Sequence, residues 1–404
     1  MIASILWVLA YQRCGVVAEF GCLYSEVLLT RNAWEKRKLG ELAEFINGRA
    51  YKQDELLASG KYPVLRVGNF YTNDNWYYSD LELPEKYYAE KGDLLYTWSA
   101  TFGPHIWIGP KVIYHYHIWK VALKNLFEKD FALQFFEADR VRLLNSTNGS
   151  TMIHVTKKDM ESKGILLPDI SEQRNIGEFL RKADDLIAAT QHKIDALEQI
   201  KEKLSQNLFD QSWRFKEYST PWKENKLKDI VSAYSGGTPS ANIRTYYGGH
   251  IPFIRSAEIH SSTTALTLTQ EGLQNSSAKL VKTGDILYAL YGANSGDVDR
   301  SKINGAINQA ILAMRPSKEN DPNFILFQLM RMKDKIVSTY LQGGQGNLSG
   351  RLILALNLDM PESTLEQRTI GRLLQLLCEL IGVNQSKYSQ LELLKKSLLQ
   401  NLFV

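Results

Sequence analysis

Apolar side chains recur in steps of four and three along two stretches of this chain. The first runs through Ile176, Leu180, Ala183, Ile187, Ile194, Leu197, Leu204 and Leu208. The second runs through Ile370, Leu374, Leu377, Ile381, Tyr388, Leu391, Leu398 and Leu402. Alternating steps of this kind predict a long helix with one apolar seam, as in a coiled coil. Polar residues interrupt each seam twice, Thr190 and Lys201 in the first and Asn384 and Lys395 in the second, each pair 194 positions apart. Such residues cost stability but fix register and partner. Their matched placement predicts that the two helices pack on each other as an antiparallel spacer. Each helix is announced by a proline (Pro168, Pro361) and then by Asp169-x-x-Glu172 or Ser363-x-x-Glu366, which reads as a capping box. A helix from Asp169 to Phe209 would be about 60 Å long at 1.5 Å per residue.

The stretches before these helices have a different rhythm. They are rich in Tyr, Trp, Gly and β-branched residues, with turn signals at short intervals. Asn47-Gly48, Ser59-Gly60, Lys91-Gly92-Asp93 and Asn148-Gly149 punctuate the first, and Gly236-Gly237, Gly248-Gly249, Thr283-Gly284-Asp285 and Gly343-Gly344 the second. Short strands, tight turns and a few helices follow from that composition. The chain is therefore written twice. Trp34-Glu35-Lys36-Arg37-Lys38-Leu39 returns as Trp222-Lys223-Glu224-Asn225-Lys226-Leu227, Glu172-Gln173-Arg174-x-Ile176-Gly177 as Glu366-Gln367-Arg368-x-Ile370-Gly371, and Gln206-Asn207-Leu208-Phe209 as Gln400-Asn401-Leu402-Phe403. The expected class is α+β. Two similar mixed domains (34–168 and 222–361) are each followed by a long helix (169–212 and 362–404), with a linker at 213–221, giving an internal pseudo-two-fold repeat.

With 404 residues the chain is long enough for two domains with separate cores. A net charge of +4 permits contact with nucleic acid without demanding it. Cys14, Cys22 and Cys378 fit neither a disulfide framework nor a zinc spacing, which points to a reducing cytoplasm. Residues 1–33 stand outside the duplication. Their apolar run Ile2–Ala10 is too short for a membrane span and lacks the basic start of a secretory signal. It reads as a buried strand or a poorly ordered extension.

Catalytic motifs are missing. There is no aminomethylation loop of the Asn-Pro-Pro-Tyr kind and no phosphate loop. The run Gly343–Gly350 lacks dinucleotide spacing and reads as a turn. His115-Tyr116-His117 puts two imidazoles on one face of an expected strand, but further metal ligands at matching spacing are not evident, so these read as polar or stacking side chains. Aromatic and basic residues are interleaved instead, as a nucleic-acid face requires: cations for phosphates, and Arg, Asn or Gln for base edges. The candidates are Arg49, Tyr51, Lys52, Arg66, Asn69, Trp98, Ser99, His105 and Lys111 in the first copy. In the second they are Thr238, Arg244, Arg255, Ser256, Tyr291, Asn294 and Arg300. Taken singly, each reads as a solvated surface residue or a core aromatic; the glycine-flanked clusters point to binding because they recur at similar places in both repeats.

From Trp34 onward the chain resembles the specificity subunits of type I restriction–modification systems. The repeated Trp34–Leu42 and Trp222–Ile230 segments, the Glu-Gln-Arg-x-Ile-Gly segments, the Gln-Asn-Leu-Phe helix ends, Lys91–Ser99 and Gly236–Ser240 carry that resemblance. It implies two target recognition domains, each reading one half of a bipartite, asymmetric site in double-stranded DNA. It implies a helical spacer that docks two methylation subunits, with motor/restriction subunits completing the complex. It also implies no catalysis and no bound cofactor in this chain, with S-adenosylmethionine, ATP and Mg on the partners, and N6-methyladenine as the product. The alternatives are a coiled-coil adaptor with protein-binding domains, or the recognition part of a single-chain restriction–methylation enzyme.

Overall fold

The computed structural model describes residues 34–71, 73–99, 101–146, 155–341 and 347–403. The expectations for residues 1–33, with Cys14 and Cys22, for Asn148-Gly149 and for Gly343–Gly346 lie outside the described residues. Contacts divide the chain into two compact units, Met1–Thr190 with Lys387–Val404, and Gln191–Ser386. These cuts fall inside the long helices rather than at their ends.

Among the described residues the first unit holds ten strands: β1 (Glu35–Lys38), β2 (Ala43–Asn47), β3 (Tyr62–Leu65), β4 (Tyr77–Ser79), β5 (Tyr88–Ala89), β6 (Leu94–Thr97), β7 (Gly103–Ile106), β8 (Val112–Tyr114), β9 (Ile118–Leu123) and β10 (Gly164–Leu167). They form a β1-β10 ribbon, an antiparallel sheet β2-β9-β6-β7 and a sheet β4-β3-β8-β5 whose β3/β8 pair is parallel. The helices are α1 (Leu39–Leu42), α2 (Lys129–Ser146), α3 (Lys157–Ser162) and the 40-residue α4 (Ile170–Phe209).

The second unit repeats this strand for strand: β11 (Lys223–Lys226), β12 (Val231–Ser235), β13 (Tyr247–Ile254), β14 (Leu266–Leu268), β15 (Lys279–Val281), β16 (Ile286–Ala289), β17 (Val298–Arg300), β18 (Gly305–Ile307), β19 (Ile311–Pro316) and β20 (Asn357–Met360). Its sheets are β11-β20, β12-β19-β16-β17 and β14-β13-β18-β15, again with one parallel pair, β13/β18. Its helices are α5 (Leu227–Ile230), α6 (Gln270–Gln274), α7 (Pro322–Tyr340), α8 (Gly350–Leu354) and α9 (Thr364–Leu402).

The repeated sequence motifs are the joints of this fold. Trp34 donates its indole N–H to Glu172 at 3.1 Å, and Trp222 donates to Glu366 at 3.1 Å. Gln173 accepts from the backbone of Glu128 at 2.9 Å and donates to the Pro168 carbonyl at 2.8 Å. Gln367 repeats both contacts with Asp321 and Pro361 at the same distances. The capping boxes are thus half formed. Asp169 accepts from the Glu172 amide at 2.9 Å and Ser363 from the Glu366 amide at 3.4 Å, while the glutamates turn away to the tryptophans. The Gly-Asp turns also match. Gly92 and Gly284 have φ of +95° and +93°, a region that favours glycine, and the following aspartates accept from the amides of Glu90 and Lys282.

In the first unit α2 packs on the antiparallel sheet, with Phe45, Tyr96, Trp119, Phe131 and Phe136 buried together. Into the same core reach Ile176 and Leu180 of α4, Leu398 and Leu402 of the last turn of α9, and Phe403 just after it. The Phe403 ring lies 5.1 Å from that of Phe131. In the second unit Leu208 and Phe209 join Ile370 and Leu374, and Phe209 lies 5.2 Å from Phe324. Each buried leucine contributes roughly 2 kcal/mol. Within each unit one helix therefore ascends as the other descends: Asp184 pairs with Lys395 in the first, and Glu198 accepts from Gln385 at 3.4 Å in the second. Along the expected seam, Ile194, Ile381 and Leu391 are also buried, whereas Ile187, Leu197, Leu204, Leu377 and Tyr388 are half-buried. The buried seam residues Thr190 and Asn384 are satisfied by their own helices, each donating 2.7 Å to the carbonyl four residues back.

Candidate functional site

In the first unit four strand ends converge. Gly48 follows β2, and a Cβ there would lie 2.4 Å from the carbonyl oxygens of Tyr114 and His115, so only glycine lets this loop press on the end of β8. Arg49 is then locked in place: its amide donates to Tyr114 and its carbonyl accepts from Tyr116, both at 3.1 Å. The parallel register pairs Leu65 with Tyr114, which sets Arg66, the residue after β3, beside His115. Trp98 follows β6. Its amide donates to the His117 carbonyl at 3.2 Å and its indole to the Tyr116 carbonyl at 2.9 Å. His115-Tyr116-His117 is therefore the tight turn joining β8 to β9, not the strand expected from sequence.

This face is aromatic and only partly charged. The Tyr51 ring stacks on His115 at 6.4 Å, with the Arg49 guanidinium 5.3 Å from its centre. Arg49 is also held by Glu55 at 2.7 Å. Arg66 lies 4.3 Å over the Tyr77 ring, and its buried Nε finds no hydrogen-bond partner among the described residues. Burial first, then the neighbouring His117 and Arg66 charges, pushes His115 down to about 4, leaving a neutral ring. His105 stacks on Phe70 at 4.1 Å, and burial lowers it to about 4 as well.

The second unit builds the same scaffold with other side chains. A Cβ on Gly236 would meet the Ile307 carbonyl at 1.9 Å, so the loop after β12 again needs glycine. Two residues on, Thr238 donates its hydroxyl to the Gln309 side-chain oxygen at 2.7 Å. The parallel register Ile254↔Ile307 sets Arg255 beside Asn308. Glu258 takes the Arg255 guanidinium through two contacts of 3.0 Å. After β16, the Leu290 amide donates to Ala310 at 2.8 Å, as Trp98 does to His117, and Tyr291 follows.

Other sequence candidates serve their own domain. Asn69 accepts from the Arg66 amide at 3.0 Å and donates to the Asn73 and Asn75 carbonyls. Lys111 is paired with Glu85 at 2.7 Å and Glu90 at 3.1 Å. Arg300 ties the Gly284 carbonyl to Asn323, each at 3.0 Å, and Asn294 donates to Asp297 at 3.1 Å. Lys52 and Arg244 are exposed; Ser99 and Ser256 are half-buried. Sequence reasoning missed Gln309 altogether. The signal was there, because three residues separate the ends of β8 and β18 from the next strand in both copies, but strand ends were not legible.

Comparison with known proteins decides the family. The type I restriction modification DNA specificity domain matches twice, over residues 32–199 and 219–393. This chain belongs to the type I restriction–modification DNA specificity family. The MjaVIII type I restriction enzyme specificity subunit of Methanocaldococcus jannaschii is 26% identical over 390 residues, covering 91% of each chain. The MjaX specificity subunit of the same organism, described as putative, is 23% identical over 411 residues, 91% of this chain and 92% of that one. The crystal structure of a type I system S subunit from M. genitalium shares the fold. Its TM-score is 0.68 at 16% identity, over 92% of this chain and 96% of that one.

The two matched stretches of this specificity-family chain each contain ten strands and the opening of one long helix. Among the described residues no cluster of His, Cys, Asp or Glu is placed to hold a metal ion. Nor, among them, is any helix long and apolar enough to cross a membrane.

Proposed function

We propose that this chain is the DNA-reading specificity subunit of a type I restriction–modification complex, each ten-stranded domain reading one half of a bipartite site. The observation that carries this is a duplicated scaffold whose strand-end side chains differ. The backbone hydrogen bonds that close the link and tie it to Trp98 or Leu290 repeat from copy to copy, whereas His115-Tyr116-His117 stands in one where Asn308-Gln309-Ala310 stands in the other. A fixed frame with exchanged side chains suits two readers of different sequences.

The long helices are the docking elements for two methylation subunits. Arg174 and Arg368 support that reading, since both are exposed at equivalent positions beside the buried Gln173 and Gln367. A partner used twice would meet the same guanidinium twice. The methylation subunits would bring S-adenosylmethionine, and motor/restriction subunits would bring ATP and Mg.

The test is to co-express the chain with its methylation subunit in a methylation-free host and map modified bases. A split motif with a constant gap is the expected result. An intact complex that leaves no new methylation would favour a protein-binding adaptor.

A further inference from the structure

The strand-to-strand link at the convergence point makes the same kind of turn with different side chains in the two domains. In the first domain the Ile118 amide closes the turn onto His115 at 2.9 Å, and in the second the Ile311 amide closes onto Asn308 at 3.4 Å. The third link residue accepts from Trp98 or Leu290. A glycine, Gly48 or Gly236, lies against the start of the link in both. The backbone is thus spoken for, and the middle side chain is exposed in each copy: Tyr116 in the first, Gln309 in the second. Asn308 spends its side-chain oxygen inside the turn, accepting from the Ala310 amide at 3.1 Å, but no bond of the turn requires the residue type at the middle position. The same turn is made by His-Tyr-His and by Asn-Gln-Ala.

The side chains around each link have the chemistry of base-edge recognition. Gln309 has its oxygen held by the Thr238 hydroxyl at 2.7 Å. Its amide nitrogen has no hydrogen-bond partner among the described residues and keeps two donors, while the oxygen keeps a second lone pair. A side-chain amide held this way offers one donor and one acceptor side by side, the complement of an adenine edge in the major groove. In the first domain His115 is a neutral ring, so it too offers one donor and one acceptor, and Arg66 stands next to it with an unmatched Nε. Carboxylates hold Arg49 and Arg255, so phosphate contacts there would compete with internal ion pairs.

We propose that the two links, residues 115–117 and 308–310, are the specificity-determining segments of the two recognition domains, with the Thr238–Gln309 pair selecting adenine in the second half-site. This rests on the reading of the chain as a DNA specificity subunit. The link residues set which bases are read; the scaffold beneath them does not.

The experiment uses the complex with the methylation subunit and a randomised double-stranded DNA library, with methylated molecules sequenced for wild type, Gln309→Ala, Gln309→Glu, Thr238→Val and the triple change H115N/Y116Q/H117A. Gln309→Ala and Gln309→Glu should relax or switch one adenine position of one half-site by roughly tenfold or more, leaving the other half-site and the gap untouched. Thr238→Val should weaken the same position. The triple change should alter only the opposite half-site. The unaltered half-site reports that each variant is folded and assembled. If all variants return the wild-type motif, or lose affinity for every sequence alike with the motif unchanged, the links are turns or phosphate contacts and the proposal is overturned. If the altered position is not adenine, the base assignment falls. If wild type itself selects no bipartite motif, it is the specificity-subunit reading that fails.

Discussion

Trp222 donates its indole N–H to a carboxylate, that of Glu366, which is only 1% exposed. Trp34 makes the same contact with Glu172, yet Glu172 is only half-buried. The second copy compensates the deeper burial with Arg214, whose guanidinium meets both oxygens of Glu366 at 2.7 and 2.8 Å. Removing one member of a buried ion pair leaves a charge without its counterpart, at a cost of about 3 kcal/mol or more. Arg214→Ala should therefore destabilise the second unit by about that amount, and Trp222→Phe, which removes only the indole hydrogen bond to the same carboxylate, by about 1 kcal/mol. Chemical denaturation of the full chain, with hydrogen exchange resolved by segment, measures both. Equal effects would mean that Arg214 is not the compensating charge.

Gly177 and Gly371 sit inside long helices, where Gly→Ala ordinarily gains about 1 kcal/mol. Here the sign should reverse. An added Cβ would lie 2.6 Å from the Phe131 amide nitrogen at Gly177, and 2.9 Å from that of Phe324 at Gly371. These glycines let the first turns of α2 and α7 seat against the long helices. G177A and G371A should each destabilise by about 1–3 kcal/mol. Gly382 is the control, with nothing within 4 Å of its Cβ position, so G382A should stabilise. Thermal unfolding of the three variants settles the order.

His105 and His115 both sit at about 4 in the folded first unit, against an ordinary 6.5. Between those values the unfolded chain binds more protons, so the stability of the neutral rings is complete above about 6.5 and is lost as pH falls towards 4. His260 in the second unit has the opposite sign. Its hydrogen bond to Asp299 raises it, so its contribution is present at low pH and lost as pH rises through the raised value. Segment-resolved hydrogen exchange at about pH 7.5 and about pH 5 should show the first unit loosening on acidification more than the second. The double variant H105Q/H115N should flatten that response.

The sequence carried the helices clearly, because a seam of alternating four and three is a local signal that survives substitution. It also carried the motifs Trp34-x-x-x-Lys38-Leu39 and Glu172-Gln173-Arg174-x-Ile176-Gly177, but not the bond between them, since 138 residues separate Trp34 from Glu172 and nothing local encodes a pairing at that distance. The parallel pairs β3/β8 and β13/β18 were hidden for the same reason. At the candidate site, residue type was a poor guide. Asn69 and Arg300 have the chemistry of base readers but spend it on neighbouring carbonyls and an amide. Gln309 stood out only once strand register had aligned it with Tyr116.

Residues Leu398 to Phe403 lie in the core of the first unit, whereas the second unit is one unbroken stretch, Gln191–Ser386. Order of synthesis and order of completion are therefore reversed. The cover for Phe131 and Phe135 is made only after every residue of the second unit has been made, so the later unit can finish before the earlier one. A nonsense codon between Lys387 and Leu398 would strike the part of the protein translated earliest.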